Sequence, residues 1–245
     1  MNHYPKATFI NMLTITIGSL IGLWFKQFFT EDLQEILFQA LGLGTLFIGI
    51  KMSLRLPDGY LLVFMFSLIL GGLMGQMIGV DLIIASFSEV LKNSIGNTEN
   101  SFSEGLISAF LLFCVGSMTI VGAIEEGLKG NRELLYVKSL LDGFSSIALA
   151  SVFGIGVLFS IIPLLIFQGG MTLLATRLSR ILNLVVIDCI SAVGGVLIIG
   201  IAFDLLKMAS LRLENLLPSL IIVVFLSAIY HKYIEKKEEA FKLPN

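Results

Sequence analysis

The sequence LVVIDCISAVGGVLIIGIAFDLL occupies residues 184–206 and is apolar along almost its whole length. An α-helix rises about 1.5 Å per residue, so a stretch of this length spans the hydrocarbon core of a bilayer, which is about 30 Å thick. We therefore predict a transmembrane helix at this position, with lipid as its surrounding solvent.

The composition of the chain extends this prediction to the whole protein. Its 245 residues are 56% hydrophobic and only 14% charged, and the mean hydropathy is +0.93. Soluble domains carry roughly 25% charged residues. We predict an all-α, polytopic membrane protein that forms a single integral membrane domain (1–245). The eight predicted spans are 8–25, 34–54, 59–79, 103–126, 134–154, 156–176, 184–206 and 216–233.

Basic residues are divided unequally between the two sides of this arrangement. Eleven lie on the side of the N-terminus and four on the other, and cytoplasmic loops are the ones enriched in Lys and Arg. We therefore expect both termini in the cytoplasm. The first set is Lys6, Lys51, Arg55, Lys129, Arg132, Arg177, Arg180, Lys232, Lys236, Lys237 and Lys242, and the second is Lys26, Lys92, Lys207 and Arg212.

Two segments interrupt the pattern of spans. Residues 80–95 are amphipathic at helical spacing but too polar to cross, which predicts an interfacial helix on the outer surface, followed by a polar loop from Gly96 to Ser101. The apolar run from Leu140 to Ala175 is too long for one helix, and Gly154 and Gly156 provide its only punctuation.

An internal repeat relates the first and last thirds of the chain. GTLFIGI at residues 44–50 matches GVLIIGI at 195–201, an offset of 151. Chance explains isolated matches in a chain rich in Gly, Leu and Ile, but these matches stay in order across three spans. We predict that 8–79 and 156–233 are repeats in opposite orientations, a ground plan that recurs in transporters and also occurs in channels.

Charged residues inside spans are the first candidates for function, because they are costly in lipid. Lys138 and Asp142 are four residues apart in the span 134–154, so they share one helix face. A structural ion pair between helices and a solute or proton site both fit this pattern.

Five further polar residues are weaker candidates for solute or ion binding. Asp188 is either a headgroup-level residue or an inward-facing ligand, and Glu125 and Glu126 are either solvated end charges or the lining of a mouth. Asn11 is expected to bond backbone or a neighbouring helix. Gln168, before Gly169 and Gly170 and after Pro163, suggests an unwound segment that exposes backbone dipoles to a solute.

Enzyme and nucleic-acid functions find little support in the sequence. The only histidines are His3 and His231, near the two ends, and no nucleotide-binding glycine fingerprint is present. The net charge of −2 excludes a general polyanion-binding surface. We expect no enzyme, no cofactor and no nucleic-acid partner, and leave the metal question open.

The sequence resembles the bacterial membrane-protein family of domain of unknown function 554 (the YdfK/YqgA type). The residues that carry this resemblance are GSMTIVGAIEEGL at 116–128, KSLLDG at 138–143 and ASVFGIGV at 150–157. The resemblance implies a bacterial inner membrane and leaves the activity open.

These observations favour a secondary transporter or channel for a small polar or ionic solute. The alternative is a non-conducting membrane scaffold or sensor that acts through partner proteins. The glycine pairs Gly18/Gly22 and Gly71/Gly75 have the spacing of close helix packing, and a homodimer face is a further hypothesis for them.

Overall fold

The computed structural model describes residues 4–26, 28, 30–95, 101–179, 181–209 and 211–242, and these residues form helices and no strands. The long helices are α1 (Lys6–Lys26), α2 (Glu31–Ser53), α3 (Leu61–Ile78), α4 (Val80–Ile95), α5 (Phe102–Cys114), α6 (Ser117–Lys129) and α7 (Glu133–Phe153). Four short helices follow, α8 (Gly156–Phe159), α9 (Ile161–Leu164), α10 (Gly170–Leu173) and α11 (Ala175–Leu178), with a π-helical turn at Leu165–Gly169. The chain continues with α12 (Leu184–Leu205), a 3₁₀ turn at Leu213–Leu216 and α13 (Ser219–Lys242).

The helices confirm a polytopic membrane protein. Six segments of the described chain are long and apolar enough to cross a bilayer, and the bent pair α5 and α6 makes a seventh if it counts as one span. The predicted span 34–54 coincides with α2, a helix of 23 residues that is not in that set, so its crossing stays a prediction.

The structure divides the predicted helix 103–126 into two. Helices α5 and α6 meet at Val115 and Gly116 with a bend of 59°. Gly116 has extended backbone angles, and the Thr119 hydroxyl donates to the carbonyl oxygen of Phe113 at 2.9 Å, which gives that oxygen a partner at the break. The apolar pattern continues through the bend, so hydropathy alone did not reveal it.

The predicted division near Gly154 is confirmed. Gly154 has a φ of 78°, a conformation that ends α7 and that residues with a Cβ rarely adopt. The chain then turns back as a span of consecutive short helices from Gly156 to Leu178, rather than as one regular helix.

Three helix pairs organise the bundle. Residue contacts show that α1 runs parallel to α7, while α2 runs antiparallel to α12 and α3 antiparallel to α13. Helix α12 is the central element. Within the apolar 18-residue stretch of each helix, 72% of the residues are buried in α12 and 17% in α3. In an inverted repeat, equivalent helices of the two copies run in opposite directions. Any two helices do so when an odd number of membrane crossings separates them along the chain, so the repeat stays a prediction.

Close packing within the chain occupies both glycine pairs. A Cβ on Gly18 or Gly22 would overlap the backbone of α7, and a Cβ on Gly71 or Gly75 would overlap Ser219 or Asn215. The homodimer hypothesis therefore draws no support from these glycines.

Helix α4 confirms the predicted helical segment at 80–95. It begins after Gly79, which has a φ of 72°, and the Asp81 amide donates to Oδ1 of Asn215 at 2.9 Å. Its interfacial location stays a prediction, and residues 96–100 of the predicted loop lie outside the described residues.

Candidate functional site

The parallel helices α1 and α7 meet along a seam that is tight enough for polar contacts. Gly143 of α7 lies against Thr14 of α1, where an added Cβ would be 3.0 Å from the Thr14 Cβ. The Thr14 hydroxyl donates to the carbonyl oxygen of Ser139 at 2.8 Å. The glycines thus bring the two backbones within reach of short polar side chains.

Lys138 and Asp142 form the predicted ion pair on α7. The Lys138 ammonium donates to Oδ2 of Asp142, and the two residues are only 5% and 6% exposed. An unpaired charge in this environment is expensive, so each residue compensates the burial of the other.

Asn11 joins this ion pair to a third element of the fold. Its fully buried amide nitrogen donates to Oδ2 of Asp142 at 2.8 Å and to Oε1 of Gln168 at 3.2 Å. The amide nitrogen of Gln168 in turn donates to the Thr8 hydroxyl at 3.2 Å. We call Asn11, Lys138, Asp142 and Gln168 the polar cluster.

Gln168 lies in the π-helical turn Leu165–Gly169. Such turns are rare and occur frequently at functional sites. The segment that the sequence predicted to be unwound is therefore a widened helix instead. The Thr172 hydroxyl donates to the Gln168 carbonyl oxygen at 3.2 Å, which satisfies one of the backbone acceptors of this turn.

The break between α5 and α6 lies beside the polar cluster. The Phe113 ring, one residue from the end of α5, has its centroid 6.0 Å from the Lys138 ammonium. An aromatic face and the C-terminal end of a helix both favour a nearby cation. Sequence reasoning missed this contribution, although Gly116 in the middle of a predicted span was a signal for a break.

Glu126 has a structural role at the end of the bundle where α1 begins. Its Oε1 accepts hydrogen bonds from the Ala7 amide at 3.0 Å and from Nε of Arg132 at 2.8 Å, and the side chain is fully buried. A carboxylate at a helix N-terminus is stabilised by the free amides of the first turn. Glu125 lies apart from it, where Oε2 accepts from the Asn131 amide at 3.2 Å.

Asp188 is not joined to the polar cluster by any contact among the described residues. It lies in the second turn of α12, which starts with Asn183 as its N-cap, and the side chain is partly exposed. The structure thus brings together four of the seven candidate residues and leaves Asp188, Glu125 and Glu126 elsewhere.

A small cleft that the sequence did not predict lies at the end of the bundle opposite the start of α1. It has a volume of about 120 Å³, and three carboxylates, from Glu104, Asp204 and Glu214, contribute to its lining. These residues come from α5, α12 and the 3₁₀ turn, and Glu104 is about 100 residues from the other two in the sequence. The part of the chain that the structure describes contains no group of three His, Cys, Asp or Glu residues suited to a metal ion.

Comparison with known proteins places this architecture in a family. Residues 6–228 match the model of the family described as protein of unknown function DUF554. The chain is 36% identical over 229 residues to the uncharacterized membrane protein YdfK of Bacillus subtilis (strain 168), covering 93% of this chain and 97% of that protein. It is 28% identical over 227 residues to the uncharacterized protein YqgA of Escherichia coli (strain K12), covering 91% and 96%. No solved structure gives a significant match.

Proposed function

The chain belongs to the DUF554 family, and we propose that it moves a small polar or ionic solute across the bacterial inner membrane, as a secondary transporter or channel. The polar cluster is the proposed solute site. Without a nucleotide-binding motif in the sequence, the driving force is the gradient of the solute itself or of an ion.

The observation that carries this proposal is where the polar cluster lies. Its residues come from α1, α7 and the π-helical turn, and the break between α5 and α6 lies beside it. Discontinuous helices around buried polar groups are the usual construction of transporter sites, because interrupted backbone can face a solute there.

Burial of the polar cluster determines how a solute would reach it. Asn11 and Gln168 are fully buried, and Lys138 and Asp142 are nearly so. The solute therefore enters only after one of these elements moves, as in alternating access. Helix α1 is joined to α6 by one hydrogen bond and to α7 and the π-helical turn by two hydrogen bonds each.

We also propose that the chain has no catalytic activity, since its sequence contains no recognisable enzyme motif.

Flux measured in proteoliposomes tests the proposed function. A panel of cations, small anions and amino acids is offered to the wild-type protein and to Asp142→Asn, which keeps the shape of the side chain but removes its charge. We expect flux of at least one solute and its loss in the variant, because the site needs the carboxylate. Asp188→Asn is the matched control, an aspartate of another span outside the polar cluster, and it should retain flux.

Two outcomes would contradict this assignment. Flux that survives Asp142→Asn but is lost in Asp188→Asn would move the site to α12. A wild-type protein that conducts nothing across the whole panel would favour the scaffold or sensor.

The proposed topology has both termini in the cytoplasm. A reporter fused after Asn245 should report the cytoplasm, and a reporter inserted in the loop from Gly96 to Ser101 should report the exterior, since five predicted crossings separate the two positions. Both reporters on the same side would show that the number of crossings between them is even.

A further inference from the structure

One polar atom of the cluster has no partner. Oδ1 of Asn11 is fully buried and accepts no hydrogen bond from the described residues. Chemistry determines the orientation of the Asn11 amide. Its nitrogen faces Oδ2 of Asp142, and an ionised carboxylate only accepts hydrogen bonds. Rotating the amide would place two acceptors against each other.

We infer that the ligand of the polar cluster is a small monovalent cation that competes with the Lys138 ammonium for Asp142. This inference rests on the proposed function and names the solute class. A buried amide oxygen without a donor is unfavourable, and a cation or an ammonium group would satisfy it.

The other atoms of the polar cluster also favour a cation over an anion. Asp142 and Gln168 each present an oxygen atom to the Asn11 amide group, and carboxylate and amide oxygens are the ligands that hard cations prefer. An anion would be repelled by the Asp142 carboxylate and would compete with it for the Lys138 ammonium, and the Asn11 amide nitrogen already donates twice.

The charge balance of the polar cluster indicates a single positive charge. Asp142 is its only carboxylate, and Lys138 neutralises it in the structure. A monovalent cation at Asp142 replaces the positive charge of the Lys138 ammonium with its own. The Phe113 ring, whose centroid lies 6.0 Å from the Lys138 ammonium, and the C-terminal end of α5 both favour a positive charge beside the polar cluster.

Removing the competing ammonium provides a sharp test. Lys138→Met leaves Asp142 without its internal counter-ion, so the variant should depend on an external one. Its thermal midpoint is measured in detergent with chlorides of lithium, sodium, potassium, ammonium and choline, and with sodium gluconate. We expect at least one small cation to raise the midpoint by about 5 °C over choline when present at about 100 times its Kd. Gluconate should change nothing relative to chloride.

Two further variants separate specific binding from a general salt effect. Lys138→Met combined with Asn11→Leu should lose the preference for the small cation, because the free oxygen is gone. Lys138→Met combined with Asp142→Leu should show no preference at all. If Lys138→Met does not fold, the wild-type protein and Asn11→Leu are compared across the same salts. The shift expected for the wild type is smaller than the shift expected for Lys138→Met.

The results distinguish this inference from the proposed function. Equal midpoints in all the chlorides would overturn the cation site, and so would wild-type flux that is confined to anions or neutral solutes, although transport itself would then stand. A cation-specific shift in a protein that shows no flux would support the site and overturn transport.

Discussion

The α1–α7 and α2–α12 seams are both built on glycine, and of these two only the α1–α7 seam contains a buried ion pair among the described residues. Gly49 of α2 and Gly195 of α12 approach so closely that a Cβ on either would lie 2.8 or 2.7 Å from the carbonyl oxygen of the other. Gly18 and Gly143 bring α1 and α7 together in a similar way. The α1–α7 seam continues into the polar cluster, whereas the contacts of Gly49 and Gly42 on α12 are with backbone and aliphatic side chains.

This difference shows which features packing requires. The α2–α12 seam demonstrates that two long helices of this bundle associate closely through glycines and aliphatic contacts. We therefore expect that Lys138, Asp142, Asn11 and Gln168 are not needed to hold α1 against α7. Their burial has a desolvation cost, which the proposed solute site would explain.

The largest expected effect comes from breaking the ion pair of the α1–α7 seam. Asp142→Leu alone should lower the free energy of unfolding by about 3–5 kcal/mol, because it leaves the Lys138 ammonium buried and unpaired. The double variant Lys138→Met with Asp142→Leu should be nearly as stable as the wild-type protein, since it removes both charges together. Reversible unfolding in mixed micelles measures both.

The combination of stability and flux sharpens the comparison of the two seams. A double variant that is stable and conducts nothing supports a site, and one that is stable and conducts normally assigns the ion pair a purely structural role. A double variant as unstable as Asp142→Leu would show that the α1–α7 seam needs its charges for packing after all.

A smaller effect is expected from adding single methyl groups to the two seams. Gly49→Ala and Gly18→Ala should each destabilise the protein by about 1–3 kcal/mol, because the new Cβ forces the facing backbone to shift. Only Gly18→Ala should also reduce flux, since it displaces α1 from the polar cluster. Unfolding in micelles and liposome flux provide the two measurements.

Gly44 provides the matched control on α2 itself. A Cβ at this position meets no atom within 4 Å, so Gly44→Ala should be neutral or stabilising by up to about 1 kcal/mol, as is usual for this change in a helix. Equal loss of flux in Gly18→Ala and Gly49→Ala would instead mean that solute movement involves both seams.

The span pattern and one half of the candidate site were predictable from sequence. Apolar blocks of about 20 residues located the long helices, and the spacing of Lys138 and Asp142 predicted their pairing on α7, because both signals are local. The bend at Val115 and Gly116 was not predicted, because Gly116 was its one signal, apolar residues continue through it and the kink depends on what packs there. Gly194 of α12 lies against Val115 at that point, a contact between distant parts of the chain.

The sequence by itself determined that this chain is a helical membrane protein and that Lys138 and Asp142 share one face of α7, where they can pair. Hydropathy and helical periodicity are properties of neighbouring residues, so they survive without knowledge of the fold. Only the tertiary structure decided that Asn11 and Gln168, which are 157 residues apart, complete that pair, and that Glu126 stabilises the start of α1 instead. Which polar groups meet depends on how helices cross, and glycines at the seams determine how closely the helices approach.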